Sequence, residues 1–210
     1  MTGMSLIRRG ALLTVLSSVA AAGWGCVGPS TVTVKRGYPF KDTMSVAVLD
    51  FDWSPPVGTV AFGQTVVHAP NAGKYVADGI SGRLLEIPRF QVIERSRLAR
   101  LLAEKDLSQS ELIKQGRYQE IGQFLRVDYL VIGTVNTYSC WSNGTLAGHM
   151  VSFNCRCVEV ESGQVVWTWE GKVDVGPFGP IDPASGLGRI LDDGLPKLRA
   201  QIDAASRSAR

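Results

Sequence analysis

Two runs, Met150–Val160 and Gln164–Asp174, flank the turn signal Glu161-Ser162-Gly163. Apolar and polar residues alternate along both, so each run as a strand has one dry and one wet face. A short glycine-containing connection then makes the two pair antiparallel as a hairpin. The longest strand signal precedes them, Asp128–Tyr138 (DYLVIGTVNTY). Met44–Phe51 (MSVAVLDF) is a short apolar run rich in β-branched residues and predicts a central strand, and Phe90–Glu94 (FQVIE) predicts another. Helical periods lie between these strands. Val76, Ile80 and Leu84 form one apolar face over Lys74–Ile87, which Pro88 ends. Leu98, Leu101 and Leu102 predict a short helix over Ser96–Lys105. Ser108 and Glu111 fit a capping box opening a helix to about Phe124, with Ile113 and Ile121 inward. Leu187, Ile190, Leu191, Leu195, Leu198 and Ile202 predict a last amphipathic helix, weakened by Gly194 and Pro196. Asp52–Gly73 and Gly176–Gly188 read as proline- and glycine-rich loops, and Ser206–Arg210 as a frayed end. The order gives one α/β domain, a mixed β-sheet flanked by helices, with no internal repeat.

The 210 residues are 45% hydrophobic and 20% charged, enough apolar chain to bury a core. The formal net charge is +3. Arg8 and Arg9 supply two of those positive charges and lie in a leader, so the remainder is close to neutral. That balance does not steer a chain toward nucleic acid, and no nucleic-acid partner is expected.

The leader sets the expected compartment. Arg8 and Arg9 precede an apolar run, Ala11–Ala22, of 12 residues ending in small side chains. A membrane-spanning helix needs about 20, so the run has the length and flanks of a signal peptide. Two endings are open. Ala20-Ala21-Ala22 offers an A-x-A cut and a soluble periplasmic product. Gly-Trp-Gly-Cys, residues 23–26, resembles a bacterial lipobox with Cys26 as acyl acceptor, although Gly23 stands where leucine is usual. Lipidation at Cys26 is the favoured reading. Acyl chains on one cysteine anchor a protein stably once two are present. The expected layout is a signal peptide over 1–26, a tether over 27–42, and a periplasmic domain over 43–205.

Motifs for chemistry are scarce. No phosphate-binding glycine loop, dinucleotide fingerprint or nucleophile elbow is present. His68 and His149 lack metal-ligand spacing to cysteine or carboxylate. No catalytic residue, cofactor or metal site is expected. Asp50 and Asp52 read as loop entry and turn capping. Asn143-Gly144-Thr145 reads as hairpin-turn chemistry rather than a glycosylation site. Cys155 and Cys157 stand two apart on a strand and face one side. A turn centred near Ala147 would set Cys140 opposite Cys155. A Cys140–Cys155 or Cys140–Cys157 disulfide and three buried thiols are equally open.

The loop Trp53–His68 carries Trp53, Val57, Val60, Phe62, Val66 and Val67 among glycines and prolines. Trp53, Val57, Phe62 and Val66 form a candidate partner surface, with cover for the sheet edge the plain alternative. Arg95, Arg97, Arg100 and Lys105 read as a solvated helix face.

Four segments carry a family resemblance: VAVLDF (Val46–Phe51), RFQVIERSRLARLLAE (Arg89–Glu104), VDYLVIGTV (Val127–Val135) and VEVESGQVVWTW (Val158–Trp169). Their wording and order resemble the CsgG family of bacterial envelope lipoproteins. The resemblance is more distant to LpoB-type lipoproteins that activate penicillin-binding proteins. It implies an anticodon-binding-domain-like α/β fold, and with no catalytic constellation in the sequence no enzyme activity is expected. It also implies a place on the periplasmic side of the outer membrane, an envelope protein partner and self-association. The family contains a curli secretion channel whose long hairpins join an outer-membrane barrel. A barrel strand needs about 9–11 residues. The stretch Ser139–His149 is short and rich in Gly, Ser and Asn, and Val175–Gly186 contains Pro177, Pro180 and Pro183. Neither has the pattern of a lipid-facing hairpin. The expected function is therefore envelope assembly by protein–protein interaction, with a channel subunit as the alternative.

Overall fold

The computed structural model describes residues 27–55, 65–94, 100, 117–177, 179 and 181–209. Among them are seven strands, β1 (Val27–Val34), β2 (Met44–Val48), β3 (Thr65–His68), β4 (Phe90–Val92), β5 (Tyr129–Ser142), β6 (Ala147–Glu159) and β7 (Val165–Val175). Three helices accompany them, α1 (Ala72–Leu84), α2 (Tyr118–Leu125) and α3 (Pro183–Ser208). One mixed sheet runs in the order β1-β7-β6-β5-β2-β4. β5, β6, β7 and β1 are antiparallel, while β2 lies parallel to both β5 and β4. β5 is long enough to hold two neighbours on one edge. Its start pairs with β2, and its end pairs with β3, Thr65 opposite Ser142 and His68 opposite Ser139.

Burial follows the sequence pattern. β2 is apolar on both faces because both are covered, as a strand flanked by parallel neighbours requires. One face of the sheet packs on α1 and α3, where Val76, Ile80, Leu187, Ile190, Leu198 and Ile202 meet Phe153, Trp167 and Trp169. On the other face α2 brings Ile121 and Leu125 onto Leu49, Leu130, Ile132 and Val158. The single domain with a mixed sheet flanked by helices is thus observed.

Three segments differ from the sequence expectation. Residues 27–42 are not a free tether. Residues 27–34 form β1, antiparallel to β7, with Val32 and Val34 buried, and Tyr38 and Phe40 beyond it are buried too. The outer edge of β1 is closed by α3. Ser30 N–H donates to Asp193 Oδ2 at 2.9 Å, and Val34 N–H to Gln201 Oε1 at 3.1 Å. Lys197 Nζ and Gln201 Nε2 donate to the carbonyls of Ser30 and Val32. Residues 193, 197 and 201 recur every four positions, so one helix face supplies the partners an edge strand lacks. The second difference is β3, a strand inside the expected loop 52–73. The third is α3, which begins at Pro183, continues through Gly194 and Pro196 and runs to Ser208, so the start of the expected frayed end is helix, with Ser206 buried and its Oγ donating to the carbonyl of Ile202. Asp182 caps it, its Oδ1 accepting from Ala184 N–H at 3.0 Å, with proline at the first helical position where no N–H is needed. Gly194 is where the helix crosses the indole of Trp169, and a Cβ there would lie 2.2 Å from Trp169 Cζ2. The Ser96–Lys105 helix (Arg100 aside) and the Ser108–Glu111 capping box lie outside the described residues, with Arg95, Arg97 and Lys105.

Antiparallel pairing gathers several termini at one end of the sheet. Val27 stands opposite Val173 and His149 opposite Val175, so the start of β1, the β5–β6 turn and the end of β7 share that end. β3 and the start of α3 border it as well.

Candidate functional site

The turn between β5 and β6 decides where the sheet's functional candidates fall. Asn143 Oδ1 accepts from the backbone N–H groups of Thr145 and Leu146 at 3.1 and 2.8 Å, and Gly144 takes φ 88°, a left-handed conformation that glycine adopts without strain. Asn143-Gly144 is therefore turn chemistry, as its residue types imply. The ladder closes at Ser142 opposite Ala147, flanked by Thr65 of β3 on one side. The connection is only residues 143–146.

This turn lies nearer Asn143 than Ala147, and the difference corrects the disulfide reading. Cys140 is opposite His149, whereas Cys155 is opposite Gly133 and Cys157 opposite Val131. Seven strand positions separate residues 140 and 133, about 23 Å at 3.3 Å per residue. A disulfide needs its Cα atoms within about 7 Å. Cys140, Cys155 and Cys157 are free thiols. Cys155 and Cys157 are fully inside, on the face packed by the helices, and burial pushes both thiols well above their usual pKa. Cys140 is half-buried, its Sγ 3.1 Å from the carbonyl of Ile181, and burial and then Asp182 raise its pKa.

Two of the four residues of the expected partner surface, Trp53 and Val66, are among the described residues. Trp53 is half-buried against the main core, with its Nε1–H donating to the carbonyl of Ala69 at 2.8 Å. Its ring lies 6.2 Å from that of His68. Trp53 thus clamps the chain entering α1. Val66 is half-buried on β3 opposite Trp141. Val57, Val60 and Phe62 lie outside the described residues, and so does Cys26. Val67, on the opposite side of β3, is 62% exposed.

A pocket that the sequence did not signal adjoins Val67. Its volume is about 330 Å³, and Ala69, Tyr75, Tyr138, Cys140 and Pro183 line it. Tyr75 stacks on Tyr138 with ring centroids 6.3 Å apart, yet Tyr75 remains 50% exposed. Burial, and secondarily Asp182, pushes the Tyr138 hydroxyl up to about 12, so it stays protonated at neutral pH. Tyr75 sits beside Val76 in the sequence but off the Val76/Ile80/Leu84 stripe, which was the only available hint.

Beyond the contact with α2, the opposite face of β5, β6 and β7 is polar. A cleft of about 520 Å³ there is lined by Asn136, Ser152, Asn154, Glu170 and Lys172 among others. A neighbouring cleft of about 330 Å³ includes Asp52 with Arg156 and Glu170. Neither includes Asp50 or His68, so these do not gather into one site. Asp52 instead belongs to the backbone. Its N–H donates to Gly133 O and its carbonyl accepts from Val135 N–H, both at 2.9 Å. No group of three metal-ligating side chains exists among the described residues.

The arrangement supplies surfaces for contact. No curated protein matches the chain in sequence. Among solved structures it is similar to the lipoprotein GNA1162 of Neisseria meningitidis, at 16% identity and a TM-score of 0.54, covering 75% of this chain and 99% of that one. It is also similar to PelC of Paraburkholderia phytofirmans, a dodecamer, at 16% identity, TM-score 0.45, over 78% and 96% of the two chains. A further match is the LpoB C-terminal domain of Salmonella enterica, at 14% identity and TM-score 0.40, over 64% and 84%. Residues 33–175, from β1 to the end of β7, match the family described as curli production assembly/transport component CsgG. That span is well over half the sequence and holds all but the first residues of the sheet, so the chain belongs to the CsgG family.

Proposed function

We propose that this protein is a lipid-anchored, periplasm-facing member of the CsgG family that works in envelope assembly by binding other proteins, without catalysis. The observation that carries the proposal is positional. Cys26, at the end of a signal-type leader, immediately precedes β1 of the family domain. Acylation there would hold a folded body beside the outer membrane on its periplasmic side. The anchor is the membrane contact, and an envelope protein or further copies of the chain are the partners. A leader cut at Ala22 would instead release a soluble periplasmic form.

The second reading is a subunit of a curli-type secretion channel, the activity the family's description names. The four-residue β5–β6 turn at 143–146 favours the first reading, since that hairpin ends level with β3 and does not extend beyond the sheet.

The test is fractionation of the full chain against Cys26→Ala, followed by crosslinking. The wild type is expected with outer membranes, and Cys26→Ala in the soluble fraction at a changed mass. A Cys26→Ala chain that stays membrane-bound at unchanged size defeats the anchor. Heat-sensitive rings in detergent extracts would turn the assignment to the channel.

A further inference from the structure

We infer that the end of the molecule bearing the start of β1 is itself a membrane-contact surface, its occupant the interfacial layer of the bilayer in which Cys26 is anchored. The inference rests on the lipid-anchor reading and adds to it an orientation and a set of contact residues.

Two independent observations meet at this end. The first is where the undescribed leader joins the body. Residues 1–26 precede Val27, which is paired directly opposite Val173 near the end of β7. β1 is held along its length by β7 and by α3, so no loose tether separates Cys26 from the sheet. An acylated Cys26 would bring this end to within a few residues of lipid.

The second is the distribution of exposed apolar side chains. Val67, Tyr75 and Ile181 are exposed by 62%, 50% and 56%. Val67 and Tyr75 line the apolar pocket at this end, and the carbonyl of Ile181 meets Cys140 on its wall. Leu85 and Val165, also exposed, lie at the opposite end, where α1 finishes and β7 begins. Side chains presented at the same end of the sheet as an anchor enter the interfacial region, where a tyrosine is well placed with its ring in the acyl boundary and its hydroxyl among headgroups.

The experiment places an environment-sensitive fluorophore on the full acylated chain, carrying Cys140→Ser, at Val67→Cys, Ile181→Cys, Leu85→Cys or Val165→Cys. Each is reconstituted in phosphatidylethanolamine/phosphatidylglycerol vesicles containing doxyl-labelled lipid. Labels at 67 and 181 are expected to lose about half their fluorescence, as for groups seated about 5–10 Å into the interface, and labels at 85 and 165 to lose none. A chain that floats with vesicles while labels 67 and 181 stay unquenched overturns the inference, leaves the anchor standing and assigns this end to a protein partner. Equal quenching at all four positions also overturns it. A chain that does not float defeats the anchor reading, and the inference with it.

Discussion

Single side chains here are constrained by what crosses them. Gly194 lies in the middle of α3 because the buried indole of Trp169 occupies the space a Cβ would need. Gly194→Ala should lower stability by about 1–3 kcal/mol through overpacking. Gly188 is in the same helix with nothing within 4 Å of its would-be Cβ. Gly188→Ala should raise stability by about 0.5–1 kcal/mol through helix propensity alone. Urea midpoints of the two variants should therefore move in opposite directions. Asp128 is a second such residue. Burial pushes its carboxyl pKa up, but hydrogen bonds from Lys41 Nζ at 2.6 Å and Ser45 Oγ at 2.7 Å outweigh this and hold it below the usual carboxylate range. A lowered folded pKa gives stability that is present above the unfolded value, about 3.9, and lost as pH falls through the folded one. Asp128→Asn should lose about 1–2 kcal/mol at neutral pH, and its deficit should shrink toward pH 2 to 3, as read from urea unfolding at each pH.

At the level of elements, the edge strand carries the main lesson. Thr31-Val32-Thr33-Val34 alternates as a strand should, yet residues 27–42 lack a neighbour in sequence to pair with. Their partner, β7, is more than a hundred residues away, and nothing local announces it. The face of α3 that completes the edge is legible afterwards as Asp193, Lys197 and Gln201. Gln201→Met keeps the length of the side chain and removes both hydrogen bonds, leaving Val34 N–H and Val32 C=O without partners. We expect a loss of about 1–3 kcal/mol and faster amide exchange at Val34 than at residues of β6. α3 also shows why Gly194 and Pro196 did not end it. Burial of Leu187, Ile190, Leu191, Leu198 and Ile202 on the sheet outweighs two poor helix formers.

For the whole molecule, register decides which residues can act together. A turn displaced from Ala147 to residues 143–146 puts Cys140 far from Cys155 and Cys157 and leaves three thiols. In the native protein a thiol reagent should modify Cys140 but reach Cys155 and Cys157 only after unfolding, and oxidant should leave the mobility of unreduced protein unchanged. Mass spectrometry of the labelled peptides checks each site, Cys26 being scored separately. By itself the sequence determined the strands β2, β4, β5, β6 and β7, the position of α1, the Glu161–Gly163 hairpin and the family. These follow from periods of 2 and 3.6 and from turn residues, all of which act over a few positions. Only the tertiary structure decided that residues 27–34 close the sheet, that Trp53 faces inward, and that Val67, Tyr75 and Ile181 stand together at the end of the sheet where β1 starts, on the far side of β7, β6 and β5 from it. Local periodicity says that a residue has a wet or a dry side, but which distant segment covers that side depends on pairing across the whole chain.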